Sequence, residues 1–162
     1  MYLLDTPIVF ALRGAKAGRT DAGLSAWAAG VPRQQLFLSA LSVIELDTTA
    51  ARIARKDKAA GAALSAWVDQ QVPRAFEGRI LAIDAAVARR RAKLALADPR
   101  DALLAATAAE HGLTLVTRDT AAFRSARIKV FNPWGYTPDE ASDWSEASRG
   151  GSLWFRNLFV RG

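Results

Sequence analysis

The chain contains no cysteine and only one histidine, His111, among its 162 residues. The first absence excludes disulfides and thiol catalysis. The second excludes a metal-free ribonuclease of the paired-histidine type, which needs two such groups. His111 is followed by Gly112 and reads instead as a helix end. No apolar run approaches the length of a membrane span. Asp5 interrupts the N-terminal apolar stretch before it can form a signal segment, so the expectation is a cytoplasmic protein with no membrane partner. No Gly-rich Lys-Ser/Thr loop occurs, which leaves a phosphate-loop nucleotide binder unsupported.

What is present is ordinary globular composition, 51% apolar and 23% charged, on a chain long enough for one domain with a real core. The net charge is +6 and the pI about 10.3. Such an excess of Lys and Arg favours polyanions, above all nucleic acid, although solubility alone also accounts for it.

Strand-like and helix-like segments alternate, which predicts a three-layer α/β/α fold around a mostly parallel sheet. The predicted strands are Tyr2–Leu4, Leu36–Ser39, Arg79–Ile83, Leu113–Thr117 and Ile128–Phe131. Predicted helices start near Ala22 after Thr20-Asp21, at Ser42 (running to about Lys56), over Ala59–Gln71 up to Pro73, over Ala85–Ala97 behind Asp84, and after Asp98-Pro99. Composition changes after Asn132-Pro133-Trp134, so residues 1–134 form the expected domain and 135–162 an extension. That extension begins acidic, passes an Arg149-Gly150-Gly151 hinge and ends in the aromatic, basic stretch Leu153–Phe159. It is expected either to add packing or to lie disordered, with an arginine blocker (Arg156) as the competing idea.

Four acids fall where such a sheet would gather its ligand edge: Asp5, Glu45, Asp101 and Asp119. Asp5 and Asp119 follow strand-like runs, whereas Glu45 and Asp101 sit in predicted first turns. Four carboxylates in one pocket repel one another unless cations neutralise them, and an all-oxygen set suits Mg²⁺ or Mn²⁺. Each acid also has a structural reading. Ser42-Val43-Ile44-Glu45 fits a capping box, Asp98-Pro99-Arg100-Asp101 fits a helix start, and Asp119 suits the cap of a short helix over Thr120–Phe123. Asp84 is read as a cap alone. Asp5 lacks a capping duty unless Thr6-Pro7 begins a helix.

The segments Leu3-Leu4-Asp5-Thr6, Leu38 to Leu46 around Glu45, Asp101 to Ala108, and Leu113 to Asp119, in this order and spacing, resemble the PIN-domain ribonucleases. Phe123 and Val130-Phe131-Asn132-Pro133-Trp134 extend the likeness toward VapC-type toxins of the FitB branch. The resemblance covers about residues 1–134. It implies a metal-dependent endoribonuclease that leaves 5′-phosphate and 3′-hydroxyl ends. Asp5, Glu45, Asp101 and Asp119 would be its acids, and Asp5, Asp101 and Asp119 the ligands of Mg²⁺ or Mn²⁺. Thr6 and Thr117 match positions where the family carries a hydroxyl near the site. It further implies a homodimer and a cognate antitoxin of the VapB/FitA type, with operator DNA reached only through that antitoxin.

One departure is Pro7, where the family usually has Asn; a proline there removes an amide and biases Thr6 toward extended backbone. A weakly catalytic regulatory partner and a DNA-directed metal nuclease are the alternatives. A haloacid-type phosphatase would need an Asp at position 7. Arg100 and Arg118 adjoin acids and are the arginines expected to touch substrate. The run Arg89-Arg90-Arg91 with Lys93 spreads around its helix and reads as a solvated face. Trp27 and Trp67 lie among Ala and Leu at helical spacing, which reads as packing.

Overall fold

The computed structural model describes residues 1–15 and 18–138. Five short strands, β1 (Tyr2–Leu4), β2 (Leu36–Ser39), β3 (Ile80–Leu81), β4 (Thr114–Val116) and β5 (Val130–Phe131), form a parallel sheet in the order β3-β2-β1-β4-β5. Side chains alternate between its faces, and both faces are buried. Leu4, Leu36, Leu38 and Val116 join one core cluster, while Leu3 and Leu115 join the other.

The first cluster packs under α1 (Thr6–Gly14), α2 (Ala22–Gly30), α3 (Ala40–Ala54), α4 (Lys58–Gln70) and α5 (Val72–Ala75). The second packs under α7 (Pro99–Glu110) and the 3₁₀ segment Ala121–Ala126, with α6 (Ala85–Arg91) against α7. This is the expected three-layer arrangement. Trp27 and Trp67 are buried in the first cluster. Trp27 meets Tyr2 edge-on at 5.3 Å between ring centroids, and Phe10 stacks on Trp67 at 6.5 Å. Trp134 and Tyr136 also pack against this cluster, so the body continues at least that far. The expectations for the rest of the extension, Arg156 and Leu153–Phe159 included, lie outside the described residues. Among the described residues no helix is long and apolar enough to cross a membrane.

Local chemistry explains most boundaries. Asp21, Asp57, Asp84 and Asp98 are N-caps whose carboxylates accept backbone N–H groups of the first turn. Gly112 takes φ 63° just past His111 and stops α7. Two expectations are corrected. Thr6 is not extended: it opens α1, and the extended residue is Asp5 before it, at φ −69° and ψ 150°. Pro7 sits in the first turn, where its missing N–H would have had no intrahelical partner anyway. And α3 starts at Ala40 rather than behind Ser42, because Ser39 ends β2 and caps the helix through Leu41 N–H at 3.2 Å. Ser42 is fully buried inside α3, so Glu45 lies in the second turn and the capping-box reading of it falls.

The α3–α4 hairpin closes backbone against backbone. A Cβ placed on Gly61 would run into the Cα and Cβ of Ala54. Gly61→Ala gains about 1 kcal/mol of helix propensity. It forces an overlap whose cost runs to about 1–3 kcal/mol or more, and the obstacle is backbone, which cannot swing away. The expected result is a net loss of up to about 2 kcal/mol by denaturant titration; a raised midpoint would show that the hairpin opens freely.

Candidate active site

The chain runs from β1 to β2 and β3 on one side and returns to β4 and β5 on the other, so the strand order reverses between β1 and β4. In open α/β sheets the crevice at the carboxyl end of that switch is where ligands bind. Asp5 leaves β1 there, its N–H donating to Val116 O at 3.0 Å, and Thr117 leaves β4 beside it. Both side chains are buried.

Asp5 is held from three directions. Its Oδ1 accepts Thr6 N–H at 2.8 Å and also receives an Arg100 Nη2 donor, while its Oδ2 accepts the Thr117 hydroxyl at 2.7 Å. It therefore does cap α1, and it is also an ion-pair partner. The Thr117 hydroxyl accepts Asp119 N–H at 3.2 Å, which leaves its single proton for Asp5. Glu45 arrives from α3 and takes the Thr6 hydroxyl on Oε2. Asp101 arrives from the first turn of α7, with its N–H on the Asp98 cap at 3.0 Å.

These three acids share one cation. Arg100 Nε donates to Glu45 Oε1 at 2.6 Å, Nη2 reaches Glu45 Oε2 at 3.1 Å as well as Asp5, and Nη1 donates to Asp101 Oδ1 at 2.8 Å. Burial works against the guanidinium charge. The hydrogen bonds of Glu45, Asp5 and Asp101 outweigh it and raise the Arg100 pKa above its ordinary value. Three ionised carboxylates around one guanidinium leave a surplus of two negative charges.

Asp119 does not join this pairing. Its carboxylate is exposed, and Oδ1 accepts Ala122 N–H at 3.2 Å; the short helix, Ala121–Ala126, starts one residue later than expected, so Thr120 rather than Asp119 holds its N-cap position. Arg118 is exposed too, with its guanidinium 5.4 Å from the Trp134 ring centroid. Arg90 pairs with Glu110 on the surface, in line with the solvated-face reading.

Among the described residues no three His, Cys, Asp or Glu side chains are grouped so as to hold a metal ion as they stand. The donor chemistry nonetheless fits a hard divalent cation: the acids are all oxygen donors, and together they carry more negative charge than Arg100 offsets. A groove of about 360 Å³ adjoins the cluster, lined in part by Glu45, Thr48, Thr49, Arg52 and Arg100. Thr48, Thr49 and Arg52 were not anticipated. They follow Glu45 by three, four and seven residues, the spacing of one helical face, and that pattern would have revealed them.

Residues 2–129 match the PIN domain model. The FitB toxin of Neisseria gonorrhoeae is 34% identical over 143 residues, covering 83% of this chain and 99% of that protein. The VapC ribonuclease Y4jK of Sinorhizobium fredii is 30% identical over 145 residues, covering 83% and 98%. The crystal structure of FitAcB from Neisseria gonorrhoeae superposes with a TM-score of 0.71 at 32% identity, over 83% of this chain and 99% of that one. The FitAB structure bound to an IR36 DNA fragment does so with the same score at 30% identity, over 86% and 99%. With this sheet order and these matches, the chain belongs to the PIN-domain family, as a homologue of the FitB and VapC toxins.

Proposed function

We propose that this protein is a metal-dependent endoribonuclease, the toxin of a toxin–antitoxin pair. The observation that carries the reading is the convergence of Asp5, Glu45 and Asp101 at the sheet's switch point in a chain of net charge +6. Asp5 and Asp101, with Asp119 at the rim, would hold Mg²⁺ or Mn²⁺ directly or through water. When bound, the ion lowers the pKa of a water and offsets charge gathering on the phosphoryl oxygens. The chain's own residues set up that chemistry. The Thr117 hydroxyl fixes the plane of the Asp5 carboxylate, and the Thr6 hydroxyl fixes Glu45, which would orient the attacking water or add a ligand. Exposed Arg118 and the groove arginine Arg52 would guide the RNA backbone.

By analogy with the FitAB complex, the protein would pair with a FitA- or VapB-type antitoxin, meet operator DNA only through it, and work as a cytoplasmic homodimer. The test is cleavage of total RNA by the purified protein. Cutting is expected with Mg²⁺ or Mn²⁺, loss with EDTA, recovery on adding metal back, and new ends carrying 5′-phosphates. Cleavage of DNA instead, or none at any metal concentration, would replace this reading with the DNA-nuclease or the non-catalytic one.

A further inference from the structure

The guanidinium of Arg100 takes up the oxygen atoms that a cation would need. One Asp5 oxygen already carries Thr6 N–H and Arg100, and the other carries Thr117. Both Glu45 oxygens face Arg100, and Asp101 Oδ1 faces it as well. A planar fork that donates to three carboxylates at once occupies the place of a metal ion and offsets part of their charge. Two cations in that space would repel each other and compete for the same lone pairs. The Arg100 side chain is 31% exposed and borders the groove that leads along α3, so it has a way out.

We propose that Arg100 is a resident counter-ion: it holds the acid cluster together in the metal-free protein and is displaced toward the α3 groove when a divalent cation enters. The inference rests on the metal-dependent reading above and deepens it. Displacing the arginine opposes metal uptake, so the protein takes up its ion only above a threshold that Arg100 sets. The local sequence suits this role. Asp98 and Pro99 start α7, which fixes the backbone of the next two residues and sets Arg100 beside Asp101.

The experiment is calorimetric titration of Mn²⁺ into the full chain, without RNA, for the wild type, Arg100→Lys and Arg100→Met. Arg100→Met is expected to bind Mn²⁺ about tenfold tighter or more, a gain of about 1.4 kcal/mol, and to melt lower than the wild type without metal. Arg100→Lys, a point charge without the fork, should fall between. Equal or weaker binding by Arg100→Met overturns the exchange while wild-type uptake keeps the metal reading alive; no uptake by any of the three removes both.

A second measurement needs no variant. The Nε–H resonance of Arg100, bonded to Glu45, should shift or vanish as Mg²⁺ is added to the wild type. A signal that stays in place while the backbone resonances of Asp5 and Asp101 move would refute displacement.

Discussion

Asp5→Asn is expected to cut single-turnover RNA cleavage by about 10³-fold or more, equivalent to ~4 kcal/mol of transition-state stabilisation, while shifting the melting temperature by only a few degrees. The substitution keeps the shape of the side chain, and Asn caps helices about as well as Asp, so the Thr6 N–H retains an acceptor and α1 its start. What changes is charge and the sign of one hydrogen-bonding position. An amide NH₂ must face either the Thr117 hydroxyl or, on the other side, both Arg100 Nη2 and Thr6 N–H, so keeping the cap turns it toward Thr117. Arg100 offers only donors. Thr117 can turn its proton away, but its oxygen already accepts Asp119 N–H. Either orientation sets a new donor where the acid accepted one.

A neutral group is also a far weaker partner for a divalent ion. Against this loss, removing one of three neighbouring anions relieves repulsion between Glu45 and Asp101 and their neighbour, which is why the fold is expected to tolerate the change. Single-turnover rates and a melting curve on the same preparation check it. Activity within tenfold of the wild type, with the melt unchanged, would remove Asp5 from the reacting centre.

The parts of this molecule that could be read in the sequence are those whose cause is local. β1 and β2 fall at their predicted residues because short apolar runs between polar stops have few alternatives. Asp84 and Asp98 announce their helices by side-chain capping, a contact made within three residues. The errors mark where a longer-range cause decides. α1 is not legible as a helix of its own: Ile8 and Val9 are β-branched, Pro7 precedes them, and only burial against the first core cluster settles the matter. Ser39 and Ser42 are equally good caps by local chemistry, and the end of β2 chooses the first.

The helix behind Asp84 stops at Arg91, six residues short of the expected end, just after three consecutive arginines. At the site, the acids could be located from their spacing. That a single arginine, placed 55 residues after Glu45 and 95 after Asp5, closes the cluster is a property of the folded crevice alone. Adjacency to Asp101 singled Arg100 out as a substrate contact but said nothing of the three partners it takes.

Phe76→Ala should produce the largest loss of stability, about 3–5 kcal/mol, and lower the melting temperature by roughly 10 °C at ~2–4 °C per kcal/mol for a domain of this size. The ring is fully buried in the first core cluster, at the end of α5. It also supports a junction. Arg79 lies with its guanidinium 5.4 Å from the ring centroid and ties three segments together: it donates to Arg33 O at 2.6 Å, to Leu36 O at 2.7 Å and to Ala75 O. The Arg79 carbonyl in turn accepts Leu38 N–H at 2.9 Å, where β2 begins to pair with β3.

Removing the ring leaves a cavity beside this junction and takes away the surface on which the guanidinium rests, so the β3 edge should loosen first. Phe76→Leu refills part of the space and should recover about half of the loss. With a wild-type stability of about 10 kcal/mol, the middle of the usual range for a domain, the variant stays folded at 25 °C after such a change. β3 lies at the edge of the sheet, two strands from β1 and Asp5, so the folded variant should keep near-normal cleavage. Phe76→Ala and Asp5→Asn are thus expected to separate, the first lowering the melt at nearly constant activity and the second abolishing activity at a nearly constant melt. If Phe76→Ala instead destroys cleavage well below its melting temperature, the β3 edge and the acid crevice are one cooperative unit, and the separation argued from sheet order fails.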